Sequence, residues 1–318
     1  MKAKPKLLIT PPNYPIEELK ILKEFFDVEL NEGNTWFDKR YLSAHIADVD
    51  GVIAGLDPFD SDVLSRANKL KIIARRGLGV DNIDLQYARS MGILVTITPV
   101  EEEIQSVAEF TITLVSSLLK NLKQADHSLS SGLWERKSFI GKMFSEVTLG
   151  ICGLGRIGSR VAQIATNLGM HVVYYDIEPI RSSYTPVSKE DLFSIADVIT
   201  LHLPLIDRTR NFVSAEYIRM MKRGAMLVNT SRSELVDQKE LLHALKEDRI
   251  ASAAVDVFTK EPPEGDPLLK LPNLVGTPHI AAFTWSALKK MDQICVSNVI
   301  DFLIRGKRPK HVVESPLC

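Results

Sequence analysis

The chain has 318 residues, more than one hydrophobic core usually serves, so two domains are expected. Its 45% hydrophobic and 25% charged residues are ordinary for a globular protein, and a net charge of −1 leaves no electrostatic footprint for nucleic acid or an anionic membrane. No apolar stretch approaches the ~20 residues of a membrane span and no signal-peptide core opens the chain, so a cytoplasmic protein with no membrane or nucleic-acid partner is expected. Cys152, Cys295 and Cys318 stand in no metal-ligand spacing and read as free thiols in a reducing compartment, with no metal.

In chain order, β-like runs alternate with helix-like ones from end to end. This is the pattern of α/β folds with parallel sheets wound on both faces, and it predicts two doubly wound domains. The first set of runs comprises 6–10, a weak run near Val28, 51–55, 71–74 and 93–97, with a helix pattern at 16–26 among them. Thr98-Pro99 then marks a boundary, because proline restricts the residue before it, and a long connecting helix is predicted over 107–122. The second set comprises 147–151, 171–175, 198–203, 225–229, 253–257 and 273–277. A last helix pattern over 284–304 returns the chain to the first domain, which is therefore expected to be discontinuous: 1–98 plus 285–318, around a second domain of 99–284. The basic stretch 305–310 contains Gly and Pro and reads as a solvated tail.

The turn after the run at 147–151 carries the chemistry of a nucleotide site. Gly153 permits a tight strand-to-helix turn, Gly155 lets the backbone approach a pyrophosphate, and Gly158 lets the helix pack closely on the strand. Backbone N–H groups near Arg156 and Ile157 then face the phosphates, aided by the helix dipole. A second apolar run ends in Asp176, about 20 residues on, where a carboxylate can accept hydrogen bonds from ribose hydroxyls. It would repel a 2′-phosphate, which favours NAD over NADP.

A nucleotide domain beside a second domain implies a cleft, with the chemistry at the carboxyl ends of strands. Three residues occupy such places. Arg232 follows the run 226–231 and can hold a planar carboxylate by a two-pronged hydrogen bond. Glu261 follows 254–258 and precedes Pro262-Pro263; His279 follows 274–278. Alone, each has a bland reading as a surface arginine, a helix-start glutamate or a core histidine. Together they supply what hydride transfer at a 2-hydroxy or 2-oxo acid needs: a histidine to exchange the oxygen proton, a glutamate to orient it and favour its charged form, and an arginine to fix the carboxylate.

Eight segments in this order resemble the D-isomer-specific 2-hydroxyacid dehydrogenases, especially the D-3-phosphoglycerate dehydrogenase branch. They are Arg76-Gly-Leu-Gly-Val-Asp-Asn-Ile-Asp84, Val107-Ala-Glu109, Gly150-Ile-Cys-Gly-Leu-Gly-Arg-Ile-Gly158, Met221-Lys-Arg-Gly224, Asn229-Thr-Ser-Arg232, Asp256-Val-Phe258, Glu261-Pro262 and Thr277-Pro-His-Ile-Ala281. The resemblance implies a flavodoxin-like substrate domain and a Rossmann NAD domain, with Arg232, Glu261 and His279 catalytic. It implies that Gly77, Leu78 and Gly79 offer backbone N–H groups to the substrate carboxylate with Arg76 beside them, and that Thr230 and Asp256 lie near the nicotinamide carboxamide. It also assigns His202, Pro204 and Thr209 to the cofactor, and implies a homodimer through the NAD domain, with an arm over 121–143 crossing to the partner.

The departures bear on substrate. Where phosphoglycerate enzymes of the family place an arginine for the phosphate, the turn here reads Gly55-Leu56-Asp57, acidic and without a cation, so an unphosphorylated small D-2-hydroxy or 2-oxo acid is expected, with phosphoglycerate as the alternative and Arg75 or Arg76 as its phosphate ligand. The run Val100-Glu-Glu-Glu-Ile104 replaces small residues and reads as a helix start. Ser233 replaces a glycine, for which a local backbone change is expected. The rival from another class is an NAD(H)-sensing corepressor-like binding protein. Formate dehydrogenases lack the glutamate at 261.

Overall fold

A computed structural model of the protein describes residues 3–314, and Cys318 lies outside them. Among the described residues the chain forms two units: one from the chain up to Glu103 together with the chain from Thr284, the other continuous from Ile104 to Phe283. The division falls inside the first turn of the helix Glu101–Leu119 and just ahead of the helix Trp285–Leu303. The helix predicted over 107–122 thus starts earlier, at Glu101. Three carboxylates at its N-terminus complement the dipole and extend it beyond the apolar-periodic stretch.

The first unit is built on β1 (Lys6–Ile9), β2 (Asp27–Leu30), β3 (Gly51–Ala54), β4 (Ile72–Arg75) and β5 (Leu94–Thr96). All neighbours are parallel, in the order β2-β1-β3-β4-β5, which is the flavodoxin-like winding. β3 and β4 are buried along their whole length, since helices cover both faces of a doubly wound sheet. β2 is an edge strand of intermediate burial, which is why its sequence carries only a weak apolar signal. On one face Cys295, Val296, Val299 and Ile300 of the last long helix pack with Leu7, Ile9, Ile53 and Ile72.

That helix also brings a charge into the unit. Asp292 is fully buried, and Arg76, immediately after β4, grips it with two prongs: Nε lies 2.7 Å from Oδ1, and Nη2 donates to Oδ2 at 2.8 Å. Burial pushes the Asp292 carboxyl above its ordinary value, and the guanidinium works against that shift.

The second unit holds β6 (Thr148–Cys152), β7 (His171–Tyr175), β8 (Thr185–Pro186), β9 (Val198–Leu201), β10 (Met226–Asn229), β11 (Ser252–Val255) and β12 (Leu274–Gly276). They form a parallel sheet in the order β12-β11-β10-β9-β6-β7-β8, the Rossmann arrangement with its reversal between β6 and β9. β8 is absent from the sequence expectation because it is two exposed residues, one a proline tolerated only at a sheet edge. Cys152 and Cys295 are free and buried, and burial pushes both thiols up. Among the described residues no helix is long and apolar enough to cross a membrane, and no His, Cys, Asp and Glu gather into a metal-binding group.

Removing one partner of the Arg76–Asp292 pair strands a buried charge. Asp292→Ala should destabilise the protein by about 3–5 kcal/mol in chemical denaturation. A loss below about 1 kcal/mol would show that the pair is solvated.

Candidate active site

The glycines after β6 have three different jobs. Gly153 sits at φ +95°, and a Cβ there would come within 2.8 Å of the His202 carbonyl carbon. A Cβ at Gly158 would run into the Gly153 carbonyl oxygen, so only glycine lets this helix meet its strand. Gly155 has nothing within 4 Å of where its Cβ would be, and it caps the helix Arg156–Asn167. Arg156 and Ile157 form the first helical turn, where backbone N–H groups have no partner inside the helix. Open space over a helix N-terminus suits a pyrophosphate.

Asp176 follows β7 and is shared. Its Oδ2 accepts from the Leu154 N–H at 2.6 Å and its Oδ1 from the Glu178 N–H at 3.1 Å, so it braces the glycine turn it also faces. His202 follows β9. Burial pushes its pKa down to about 3, and the Nε2 of this neutral ring is buried without a partner among the described residues. An orphaned ring nitrogen, a glycine under open space and an acid at the end of β7 fit a dinucleotide. Pro204 is exposed on the same loop. Thr209 is fully buried and closes that loop: its hydroxyl donates to the Pro204 carbonyl at 2.6 Å and accepts from the Ile206 N–H at 2.9 Å. The Thr230 hydroxyl pairs with that of Thr111 at 2.9 Å.

At the ends of β10, β11 and β12 the polar residues converge. Glu261 accepts from the Phe258 N–H at 3.0 Å through Oε1, and its Oε2 lies 2.9 Å from His279 Nδ1. Burial alone would raise the Glu261 carboxyl, but the His279 hydrogen bond and charge, the Phe258 N–H and the Arg232 charge outweigh it and hold it below its ordinary value. The carboxylate is therefore ionised at neutral pH and fixes the ring by Nδ1, leaving Nε2 as the working nitrogen. His279 itself sits at φ +54°, a left-handed conformation that non-glycine residues rarely hold without support. The support is Asp256. Fully buried, it accepts from the Thr277 hydroxyl at 2.6 Å, the Ile280 N–H at 3.0 Å and the Ala281 N–H at 2.8 Å, and so forms the floor of the His279 loop. Arg232 stands in a turn set by Asn229, whose side chain donates to the Arg232 carbonyl at 2.8 Å and accepts from the Ser231 N–H at 3.0 Å. The sequence analysis named Asp256 as a neighbour of the cofactor and Asn229 only as part of a segment, and it showed the supporting role of neither.

The first unit corrects three expectations. Arg76, expected beside the substrate, has its guanidinium engaged by Asp292. The Gly77 N–H, expected to face the substrate, donates to the Thr98 hydroxyl at 2.7 Å, which leaves Leu78 and Gly79 as the half-buried members of that turn. Asp57 lends no acidity to the surface: it is fully buried and accepts from the Thr10 hydroxyl, the Phe37 N–H at 2.7 Å and the Gly55 N–H at 3.2 Å.

Comparison with known proteins agrees with this geometry. The profile of the D-isomer specific 2-hydroxyacid dehydrogenase NAD binding domain matches residues 112–281. D-3-phosphoglycerate dehydrogenase of Methanocaldococcus jannaschii is 41% identical over 98% of this chain, which spans 60% of that relative's length. Glyoxylate reductase of Korarchaeum cryptofilum is 36% identical over 98% of this chain and 96% of the relative. Among solved structures, D-lactate dehydrogenase of Aquifex aeolicus with NAD and lactic acid superposes with a TM-score of 0.84 at 28% identity, covering 98% of this chain and 99% of the other.

The lowered Glu261 pKa has a definite sign in stability. Its contribution is fully present above the unfolded-state carboxylate pKa, about 4.3, and is lost as pH falls through the lower folded-state value. Unfolding measured from pH 7 to pH 3 should show the wild type more stable than Glu261→Gln at neutral pH, with the gap closing only in the acid range. A gap independent of pH would mean that the carboxylate is not charged in the fold.

Proposed function

The chain belongs to the D-isomer specific 2-hydroxyacid dehydrogenases, NAD-dependent oxidoreductases, and we propose that it reduces a small, unphosphorylated 2-oxo acid to the D-2-hydroxy acid with His279 as proton donor. The observation that carries this reading is the Glu261–His279 pair, 2.9 Å apart, with Arg232 contributing to the same electrostatics. Arg232 binds the substrate carboxylate as a planar fork, and His279 Nε2 donates to the carbonyl oxygen while Nδ1 stays on Glu261. NADH, which the turn from Gly153 to Gly158 and Asp176 would hold, would supply the hydride for the carbonyl carbon. His279 then recovers its proton from water, and in the reverse direction it removes the hydroxyl proton.

An unphosphorylated substrate is favoured because Gly55-Leu56-Asp57 carries no cation and Arg76 is committed to Asp292. Phosphoglycerate chemistry would leave a phosphate without a charge-assisted partner from either, and Arg75, the other candidate, is buried and donates to the Arg76 carbonyl. Pairing of two copies is supported by the segment 121–143, where Leu129, Trp134, Ile140 and Met143 stand exposed, Trp134 and Ile140 at 79% each. Large apolar side chains left exposed and concentrated in one segment support an interaction surface.

NADH oxidation against glyoxylate, pyruvate, hydroxypyruvate, 3-phosphohydroxypyruvate and branched 2-oxo acids tests the proposal. An unphosphorylated acid should exceed the phosphorylated one in kcat/KM by at least about tenfold, roughly 1.4 kcal/mol. Tight NADH binding with negligible turnover on every acid would instead identify a sensor. His279→Gln should cost at least ~100-fold in kcat, and full activity in that variant would place the proton donor elsewhere.

Asp176 should give NADH at least about a tenfold advantage over NADPH in kcat/KM, by like-charge repulsion of a 2′-phosphate. Because the carboxylate would also accept from the ribose hydroxyls, which NADPH partly lacks, Asp176→Ala should narrow that preference mainly by weakening NADH. Equal use of the two cofactors by the wild type would overturn the assignment.

A further inference from the structure

We propose that Trp36 is the wall that limits the size of the substrate's side chain, and that the inward-turned Asp57 holds it in place; this rests on the proposed 2-oxo acid substrate, with its carboxylate at the Leu78–Gly79 end of the β4 turn, since the Gly77 N–H is held by Thr98. In a sheet of order β2-β1-β3-β4-β5 the carboxyl ends of β1 and β3 part, and ligands usually enter that crevice. Here the protein fills it with itself. The Gly55 N–H, after β3, donates to both the Thr10 hydroxyl at 3.0 Å and Asp57 Oδ2 at 3.2 Å, while Thr10, after β1, donates its hydroxyl to the same carboxylate oxygen. The second oxygen, Oδ1, accepts from the Phe37 N–H at 2.7 Å and so draws down the segment between β2 and the next helix. Asn31 pins the other end of that segment, donating to the Thr10 carbonyl at 2.7 Å and the Thr35 carbonyl at 2.9 Å.

Between these two anchors Trp36 is pressed onto Gly55. A Cβ at position 55 would lie inside the indole, 2.5 Å from Cε3 and 2.7 Å from Cη2, so glycine there is a seat for the ring. The ring covers the end of β3. The neighbouring strand is β4, paired Ala54 to Arg75, and it delivers the 77–79 turn. Asn82 ties the two turns together, donating to the Gly55 carbonyl at 3.1 Å and the Asp57 carbonyl at 2.7 Å. A 2-oxo acid seated by its carboxylate at the β4 turn therefore extends its remaining carbons along the end of β3, against a rigid apolar face. Hydrogen, methyl or hydroxymethyl substituents fit such a wall. Branched and aromatic ones meet it.

The test compares kcat/KM for a branched-chain 2-oxo acid and for glyoxylate, with NADH, in the wild type, Trp36→Ala, Trp36→Phe and Asp57→Asn. The wild type should favour glyoxylate. The ratio of branched acid to glyoxylate should rise at least about tenfold in Trp36→Ala, less in Trp36→Phe, and in the same direction in Asp57→Asn, where the ring loses its anchor. Circular dichroism and thermal melting establish that each variant is folded, and Trp36→Leu carries the same test should the alanine variant fail to fold. A ratio that moves less than twofold in folded Trp36 variants overturns the proposal, as does a parallel loss on both acids or a wild type that prefers the branched acid. Absence of turnover on every 2-oxo acid in the wild type overturns the functional reading itself, and this assignment with it.

Discussion

Strands that all run parallel deliver the loops that follow them to one edge of their sheet. That constraint organises each unit. In the second, the turn after β6, the acid after β7, His202 after β9, Arg232 after β10, Asp256 and Glu261 after β11 and His279 after β12 all leave the sheet at the same side. Residues more than a hundred positions apart in sequence are brought to one edge without any local motif to gather them. The first unit obeys the same rule with Thr10, Gly55 and the turn after β4.

What keeps those loops in useful shapes is a set of buried carboxylates. Taking a carboxylate out of water is costly unless donors replace the lost hydration. Asp57, Asp256 and Asp292 each bind groups from segments that would otherwise be independent: two strand ends and a loop, a three-point floor under His279, and a helix to a strand end. In all three burial raises the carboxyl pKa while the surrounding donors and cations oppose the shift, the signature of acids used as fasteners. Glu261 differs in sign. Its partners outweigh burial, and it stays a charge that can act on a neighbour.

The sequence showed the winding of both sheets because strands buried on both faces read as short apolar runs, as β3, β9 and β10 do. It also exposed the glycine turn and the three polar residues at strand ends, since glycines at 153, 155 and 158 and the segments around Arg232, Glu261 and His279 have fixed local spacing. It could not show which charges turn inward. Asp57 reads as surface acidity and Arg76 as a ligand because the partners that claim them, Thr10 and Asp292, lie far away in sequence. The short edge strand β8 and the tryptophan seated on Gly55 have no periodicity at all; both follow from tertiary placement.

The first unit is completed by residues from both ends of the chain: Leu7 and Ile9 share their core with Val296, Val299 and Ile300. The second unit is continuous, and all of its strands have been made by Gly276. On the ribosome the order of synthesis and the order of completion are therefore different. The five-stranded sheet, complete by Thr96, must wait with part of one face uncovered while the later unit is translated and can close on its own, and only the emergence of the helix Trp285–Leu303 gives its middle strands their cover. Until then Ile53 and Ile72 present a bare apolar surface, so in the life of each new molecule the unit that begins first is the last to become safe from aggregation.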